Sequence, residues 1–283
     1  MNLLLLALTI VMISGCASGP YIDTRYTSIS QDSRVQFLIL HYTAGDFPVS
    51  LKTLTQGPVS SHYLVDDATA GIYRLVDENR RAYHAGESYW KGSTRLNASS
   101  IGIEIVNPGY RDTPEGRIWF DFPESQISAV LELVKKIVVE HEIKPERILA
   151  HSDIAPQRKV DPGPRFPWKR LADAGLIPWP NAGQVALNQI QFERQLPDIA
   201  WFQRKLAEYG FAVPQSALLD DETRKVITVF QMKYRPARFD GTPDSETAAL
   251  LEVLTTMQMP AFKKVQPVSR IESTTVRSGN SNG

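Results

Sequence analysis

Residues 101–106 read Ile101-Gly102-Ile103-Glu104-Ile105-Val106. Branched apolar side chains recur with a period of two, so Ile101, Ile103 and Ile105 share one face of a strand and Glu104 projects from the other. Upstream, residues 35–40 (VQFLIL) form a short apolar run ending at His41-Tyr42-Thr43, a buried strand followed by a loop. Residues 62–65 and 72–76, on either side of 66–71, suggest a hairpin-type strand pair. Downstream of Pro123, Ile127, Val130, Leu131, Val134, Ile137 and Val138 recur at helical spacing, which predicts an amphipathic helix lying on the sheet. Residues 146–150 give one more short strand, ending at His151. Strands interleaved with a long helix define an α/β class with a mixed central β-sheet flanked by helices.

The chain has 283 residues, enough for about two domains at roughly 150 residues each. A Pro-rich stretch over 161–168 leads to a boundary near Pro180, and residues 181–197 are polar and mixed, as in a linker. From Asp198 a small all-α unit begins. Phe202, Leu206 and Tyr209 mark one helix stopped by Gly210, Val226 and Phe230 a second, and Leu250 and Leu254 a third. Asp220 or Asp221, and Asp244, stand where N-caps are wanted, and DDETRKVITVF and DSETAALLEVL repeat the same pattern. The expected organisation is therefore 1–16 leader, 17–31 tether, 32–180 α/β domain, 181–197 linker, 198–258 three-helix domain and 259–283 disordered tail.

Lys plus Arg equals Asp plus Glu at 31 each, so no basic field exists to hold a polyanion and nucleic acid is excluded as a partner. Cys16 is the single cysteine, which removes disulfide frameworks and Cys-rich metal fingers. Residues 3–13 (LLLLALTIVMI) are apolar but fall short of the roughly 20 needed to span a bilayer, so they read as a signal segment. They run into Ile13-Ser14-Gly15-Cys16, which resembles the lipobox of bacterial lipoproteins. That resemblance implies an acylated Cys16, and Ala17 after it, rather than Asp, favours the outer membrane.

Among the five histidines, His141 near the end of the long helix reads as solvated or stabilised by the helix dipole. His62, opening a strand, reads as structural. His41 and His151 each stand after a short apolar strand, where α/β sheets gather functional groups. Asp161 follows on a loop restricted by Pro162-Gly163-Pro164. Two imidazoles and one carboxylate make a three-ligand zinc set with a position left for water; spacing alone leaves satisfied core histidines as the alternative.

Five segments carry a family resemblance: LHYTA (40–44), VSSHYLVD (59–66), RAYHAGES (81–88), LNASSIGIEIVNPG (96–109) and AHSDIAPQRKVDPGPRFPW (150–168). They resemble the type 2 zinc N-acetylmuramoyl-L-alanine amidases, which share a fold with phage lysozyme-type amidases and peptidoglycan recognition proteins. With the lipobox, the likeness extends to the outer-membrane lipoprotein amidases of Gram-negative bacteria. The resemblance implies one Zn²⁺ per chain held by His41, His151 and Asp161, with Glu104 as general base and Lys159 as electrophilic partner. It implies a substrate-lined cleft with Tyr42, Thr43, His84, Trp90 and Asn97 as contacts. Some relatives have Cys where Asp161 stands; this all-N/O set is harder and more tolerant of other divalent ions.

The implied reaction is hydrolysis of the amide between N-acetylmuramic acid and L-alanine in peptidoglycan. A monomer is expected, tethered to the outer membrane through acylated Cys16 and facing the periplasm. The C-terminal unit resembles the three-helix peptidoglycan-binding domain, although Leu218-Leu219 replaces the usual Gly before the first Asp-x-x-Thr element. Two rivals remain at this level: a non-catalytic peptidoglycan receptor, and a zinc peptidase acting within the stem peptide.

Overall fold

Five strands form a sheet in the order β3-β2-β4-β1-β7 in the computed structural model, which describes residues 20–257. β1 (Phe37–Tyr42) lies between β4 (Ser100–Ile105) and β7 (Ile148–Ala150), parallel to both. β2 (Tyr63–Val65) runs parallel to β4, and β3 (Ile72–Arg74) closes the edge antiparallel to β2, the pair expected from the sequence. A separate hairpin joins β5 (Tyr110–Thr113) to β6 (Gly116–Trp119).

The alternation along the strands assigns the two faces. Leu38, Leu40, Ile101, Ile103, Ile105 and Ile148 point to one side and pack against Ile127, Val130, Val134, Ile137 and Val138 of α3 (Glu124–His141). Each such branched side chain withdrawn from water contributes about 1.5–3 kcal/mol. A left-handed Glu142 ends α3, with its N–H donated to the Val138 carbonyl.

Phe37, Ile39 and Leu149 point to the opposite side, where they meet Ala85, Trp90 and Leu96. The same cluster takes in Phe202 and Leu206 of α7 (Ile199–Tyr209), Val226 and Phe230 of α8 (Asp221–Tyr234), and Leu251 of α9 (Ser245–Thr256). The sheet is covered on both faces, as parallel strands require. Residues 33–257 form one compact unit, and the C-terminal helices share an apolar core with the sheet.

Four short helices accompany the strands: α1 (Phe47–Gln56) joins β1 to β2, α2 (Leu96–Ser99) leads into β4, and α4 (His151–Ile154) and α5 (Trp168–Asp173) follow β7. Residues 181–197, expected to be a linker, carry α6 (Ala182–Arg194), capped by the Asn181 side chain. None of its residues is buried, which is why its sequence shows no core-facing stripe.

In the C-terminal helices, Asp198, Asp220 and Asp244 each accept the N–H three residues ahead. The internal repeat has a hydrogen-bonding basis. Gln203 donates to Thr223 Oγ1 and accepts from Ala217 N, while Gln231 donates to Thr247 Oγ1 and accepts from Gly241 N. Ala217, at φ 59°, takes the left-handed position that Gly241 takes at φ 73° in the second copy.

Residues 20–32 form a second, smaller unit of exposed chain without helix or strand, in which Arg25 pairs with Asp23. The expected leader, Cys16 and the expected tail over 259–283 lie outside the described residues. Among the described residues no helix is long and apolar enough to cross a membrane.

Candidate metal centre

The register of β1 against β4 sets His41 directly beside Glu104. Both side chains project from the sheet face opposite α3, because they alternate with Leu40 and Ile103. His41 is the fifth residue of its strand, rather than the first of a loop. His151 opens α4 immediately after β7, the other neighbour of β1. Asp161 is brought back to this end of the sheet by a turn in which its carbonyl accepts the Ser152 N–H at 2.9 Å and the Asp161–Pro162 peptide is cis.

Three atoms converge there. His41 Nδ1 lies 2.9 Å from His151 Nδ1 and 3.3 Å from Asp161 Oδ2, and His151 Nδ1 lies 3.1 Å from the same oxygen. All three residues are buried. Their outer hydrogen bonds assign the protons. His151 Nε2 faces the Ala85 carbonyl at 3.2 Å, so it must donate, which leaves a lone pair on Nδ1. His41 Nε2 faces His84 Nδ1 at 3.0 Å, and His84 Nε2 faces Ser100 Oγ at 3.1 Å. The Ser100 hydroxyl donates to the Leu96 carbonyl, so His84 donates to Ser100 and accepts from His41. The His41 lone pair is therefore also on Nδ1. Two lone pairs and a carboxylate oxygen face one another with no proton to share, an arrangement that calls for a cation and fits a zinc donor set.

The titration tendencies agree. Burial and the neighbouring His151 lower the His41 imidazole to about 4, keeping it neutral. Burial works to raise Asp161, but the adjoining His151 and His41 imidazoles prevail and hold its carboxyl far below the usual range. Glu104 is pushed well above its ordinary value by burial and by Asp161, with Lys159 opposing. Its Oε1 lies 3.9 Å from His41 Nδ1, and its Oε2 is buried without a hydrogen-bond partner. Lys159 is partly exposed and acts electrostatically on both Glu104 and His41. Its ammonium has no hydrogen bond or ion pair among the described residues.

The five expected substrate contacts separate into two groups. Tyr42 and Thr43 stay beside the triangle. The Tyr42 ring lies against Gly109 and Gly163, where a Cβ would meet it at 2.7 and 3.7 Å. Thr43 Oγ1 donates to the Gly45 carbonyl and accepts the Asn107 N–H. The other three have framework roles. His84 is buried behind His41, its ring seated on Gly102, where a Cβ would lie 2.5 Å away. Asn97 Oδ1 accepts the His84 and Ala85 N–H groups at 3.0 and 2.7 Å. Trp90 is 2% exposed and packs edge-on to Tyr209 and Phe211.

The reading from sequence missed the β5–β6 hairpin, whose Trp119 ring covers Gly163 on the Asp161 loop and meets Phe239 from the loop between α8 and α9. Its signal is the Thr113-Pro114-Glu115-Gly116 turn between two short, charged runs. His62 is structural as expected, accepting the Gly102 N–H and facing the Arg80 carbonyl. His141 departs from the expected solvated state. It bonds to Glu78 at 2.7 Å and to Ser33 at 2.8 Å and is largely buried, because residues ahead of β1 and after β3 fold over the end of α3.

Comparison with known proteins agrees with this geometry. Residues 31–164 match the N-acetylmuramoyl-L-alanine amidase family, and residues 195–251 match a putative peptidoglycan binding domain. The chain is similar to the N-acetylmuramoyl-L-alanine amidase AmiD of Escherichia coli, 41% identical over 259 residues, covering 86% of this chain and 94% of the relative. The E. coli AmiD structure in complex with the substrate anhydro-N-acetylmuramic acid-L-Ala-D-gamma-Glu-L-Lys superimposes with TM-score 0.75 at 42% identity, covering 82% of this chain and 93% of that one. The structure of AMPDH3 from Pseudomonas aeruginosa gives TM-score 0.76 at 40% identity, covering 83% and 98%.

Proposed function

The chain belongs to the N-acetylmuramoyl-L-alanine amidase family, and from that premise we propose that it is a zinc-dependent hydrolase acting at the triangle of His41, His151 and Asp161. The bond cut is the amide between N-acetylmuramic acid and L-alanine, in peptidoglycan or its anhydro-muramyl fragments, for cell-wall turnover or recycling. The observation that carries this reading is an acceptor-only triangle next to a buried carboxylate with an unpartnered oxygen.

When bound, zinc supplies Lewis acidity, polarising a carbonyl and acidifying water. Glu104 stands on the adjoining strand with Oε2 free, placed to take a proton from the attacking water and to return it to the leaving amine. Lys159, without a hydrogen-bonded partner among the described residues, provides a cation for the oxyanion that develops on the carbonyl. His84 and Asn97 keep His41 in its ligand tautomer. Tyr42 and Trp119 border the Asp161 loop and, with Thr43 next in the chain to Tyr42, are the proposed contacts for sugar and stem peptide.

The segment matching a peptidoglycan binding domain would hold the enzyme on its polymeric substrate and raise the local substrate concentration. Cys16, outside the described residues, would carry acyl chains that tether a monomer to the outer membrane facing the periplasm. Palmitate labelling of the wild type and of Cys16→Ser checks that anchor.

Mass analysis of muropeptides after digestion tests the function. Free stem peptides with peptide-free sugars are expected. Shortened stems would indicate the peptidase alternative, and unchanged muropeptides a receptor.

A further inference from the structure

The side of α4 turned away from the metal triangle is closed by a residue from the C-terminal helices. Asp153, two residues after His151, is fully buried. Its Oδ2 accepts the N–H of Ala150, the residue before His151, at 2.8 Å, and accepts from Lys233 Nζ at 2.7 Å. Lys233 lies on α8, is 4% exposed, and also sets its ammonium 4.3 Å from the centroid of the Trp168 ring. No other cation among the described residues pairs with Asp153.

The local chain explains why this contact bears on the site. α4 is a single turn, and Ala150 at its N-cap has no side chain able to satisfy the first amides. His151 is therefore bracketed by two bonds: Asp153 holds the amide before it, and the Asp161 carbonyl holds the amide after it. A carboxylate withdrawn from water needs a counter-charge, and here that charge comes from the unit matching a peptidoglycan binding domain.

We propose that Lys233 is a positioning residue for the metal ligand His151, acting through Asp153, so that the C-terminal helices form part of the metal centre as well as binding the wall. This rests on the reading of the triangle as a zinc site. Lys233→Met keeps the length of the side chain and removes the charge. With Asp153 left uncompensated, the α4 N-terminus and His151 shift, and zinc affinity falls about 10–100-fold, the usual effect of losing an outer partner of a ligand.

The test is competition for zinc against a chromogenic chelator on the full-length protein, with thermal midpoints of the same samples. Phe230→Leu on the same helix is the control: Phe230 is fully buried in the shared core and has no polar atom to bond Asp153. It should lower the midpoint and leave zinc affinity unchanged, whereas Lys233→Met lowers both. Should Lys233→Met fail to fold, two double variants carry the comparison. Asp153→Asn with Lys233→Met retains an acceptor for Ala150 without a buried charge, and should bind zinc within about threefold of wild type. Asp153→Ala with Lys233→Met lacks the acceptor and should bind at least tenfold more weakly. Unchanged zinc affinity in Lys233→Met, equal losses in Lys233→Met and Phe230→Leu, or equal affinities in the two double variants would overturn the proposal. If the wild type bound zinc no better than His41→Ala, the reading of the triangle itself would fail instead.

Discussion

Replacing Gly102 by alanine adds one methyl group at the point where the sheet supports the metal ligands. A Cβ at this position would lie 2.5, 2.6 and 2.7 Å from Cγ, Nδ1 and Cδ2 of His84, far inside ordinary contact. Gly102 has no left-handed backbone, so the effect is steric alone. The His84 ring would have to withdraw by most of an ångström, yet it is held edge-on between His41 and His62 at centroid distances of 5.1 and 5.7 Å. That movement breaks the 3.0 Å bond between His84 and His41 Nε2. Overpacking of this kind costs about 1–3 kcal/mol, and at roughly 2–4 °C per kcal/mol for a chain of this size the midpoint should fall by about 2–12 °C. Zinc affinity should fall about 10–100-fold, because His41 loses the partner that fixes its tautomer. Thermal melts of the metal-free protein and chelator competition read the two effects separately. Removing the ring in His84→Ala makes room for the methyl group, so the two substitutions should be non-additive by about 0.5–3 kcal/mol. A Gly102→Ala protein with wild-type midpoint and zinc affinity would refute the claim that His84 is wedged against β4 to orient His41.

Lys159→Ala should lower kcat about 10²–10³-fold with zinc content unchanged, measured as stem-peptide release by chromatography. Ala217→Gly should stabilise the protein by about 0.5–1 kcal/mol, because it relieves a left-handed alanine at a small entropic cost; the urea midpoint reads it. Burial works to raise the Glu78 carboxyl, but its bonds to Tyr63 and His141 and the His141 charge leave it below its ordinary value of 4.5. Its contribution to stability is therefore present above pH 4.5 and lost as the pH falls through the lower folded value. The midpoint difference between wild type and Glu78→Gln should shrink over that acidic range, and a difference that grew there would contradict the assignment.

Features with short-range causes were legible in the sequence. The period of Ile101, Ile103 and Ile105 marks the face packed on α3 and, by exclusion, sets Glu104 on the face that His41 shares. Asp220 and Asp244 cap the helices where a carboxylate can satisfy free amides. The long helix stood out because seven of its residues are buried.

Features that depend on distant partners were not. α6 buries no residue, so it carries no strong amphipathic stripe, and α1 is short and buries only Ser50 and Leu54. The β5–β6 hairpin is short and largely charged. His84, Trp90 and Asn97 are polar or aromatic residues in motif segments, and nothing local distinguishes a cleft contact from a support. Their roles are set by Gly102, Gly210 and the Ala85 amide, each brought close only by the fold. The shared core of sheet and C-terminal helices was hidden for the same reason, since Phe37 and Ile39 read simply as strand residues.

Zinc content and amide cleavage measured on one Glu104→Gln sample separate metal binding from proton transfer. One zinc per chain is expected, as in the wild type, with release of stem peptides from muropeptides reduced by orders of magnitude. Full cleavage by Glu104→Gln, or cleavage by wild-type protein stripped of metal, would contradict it.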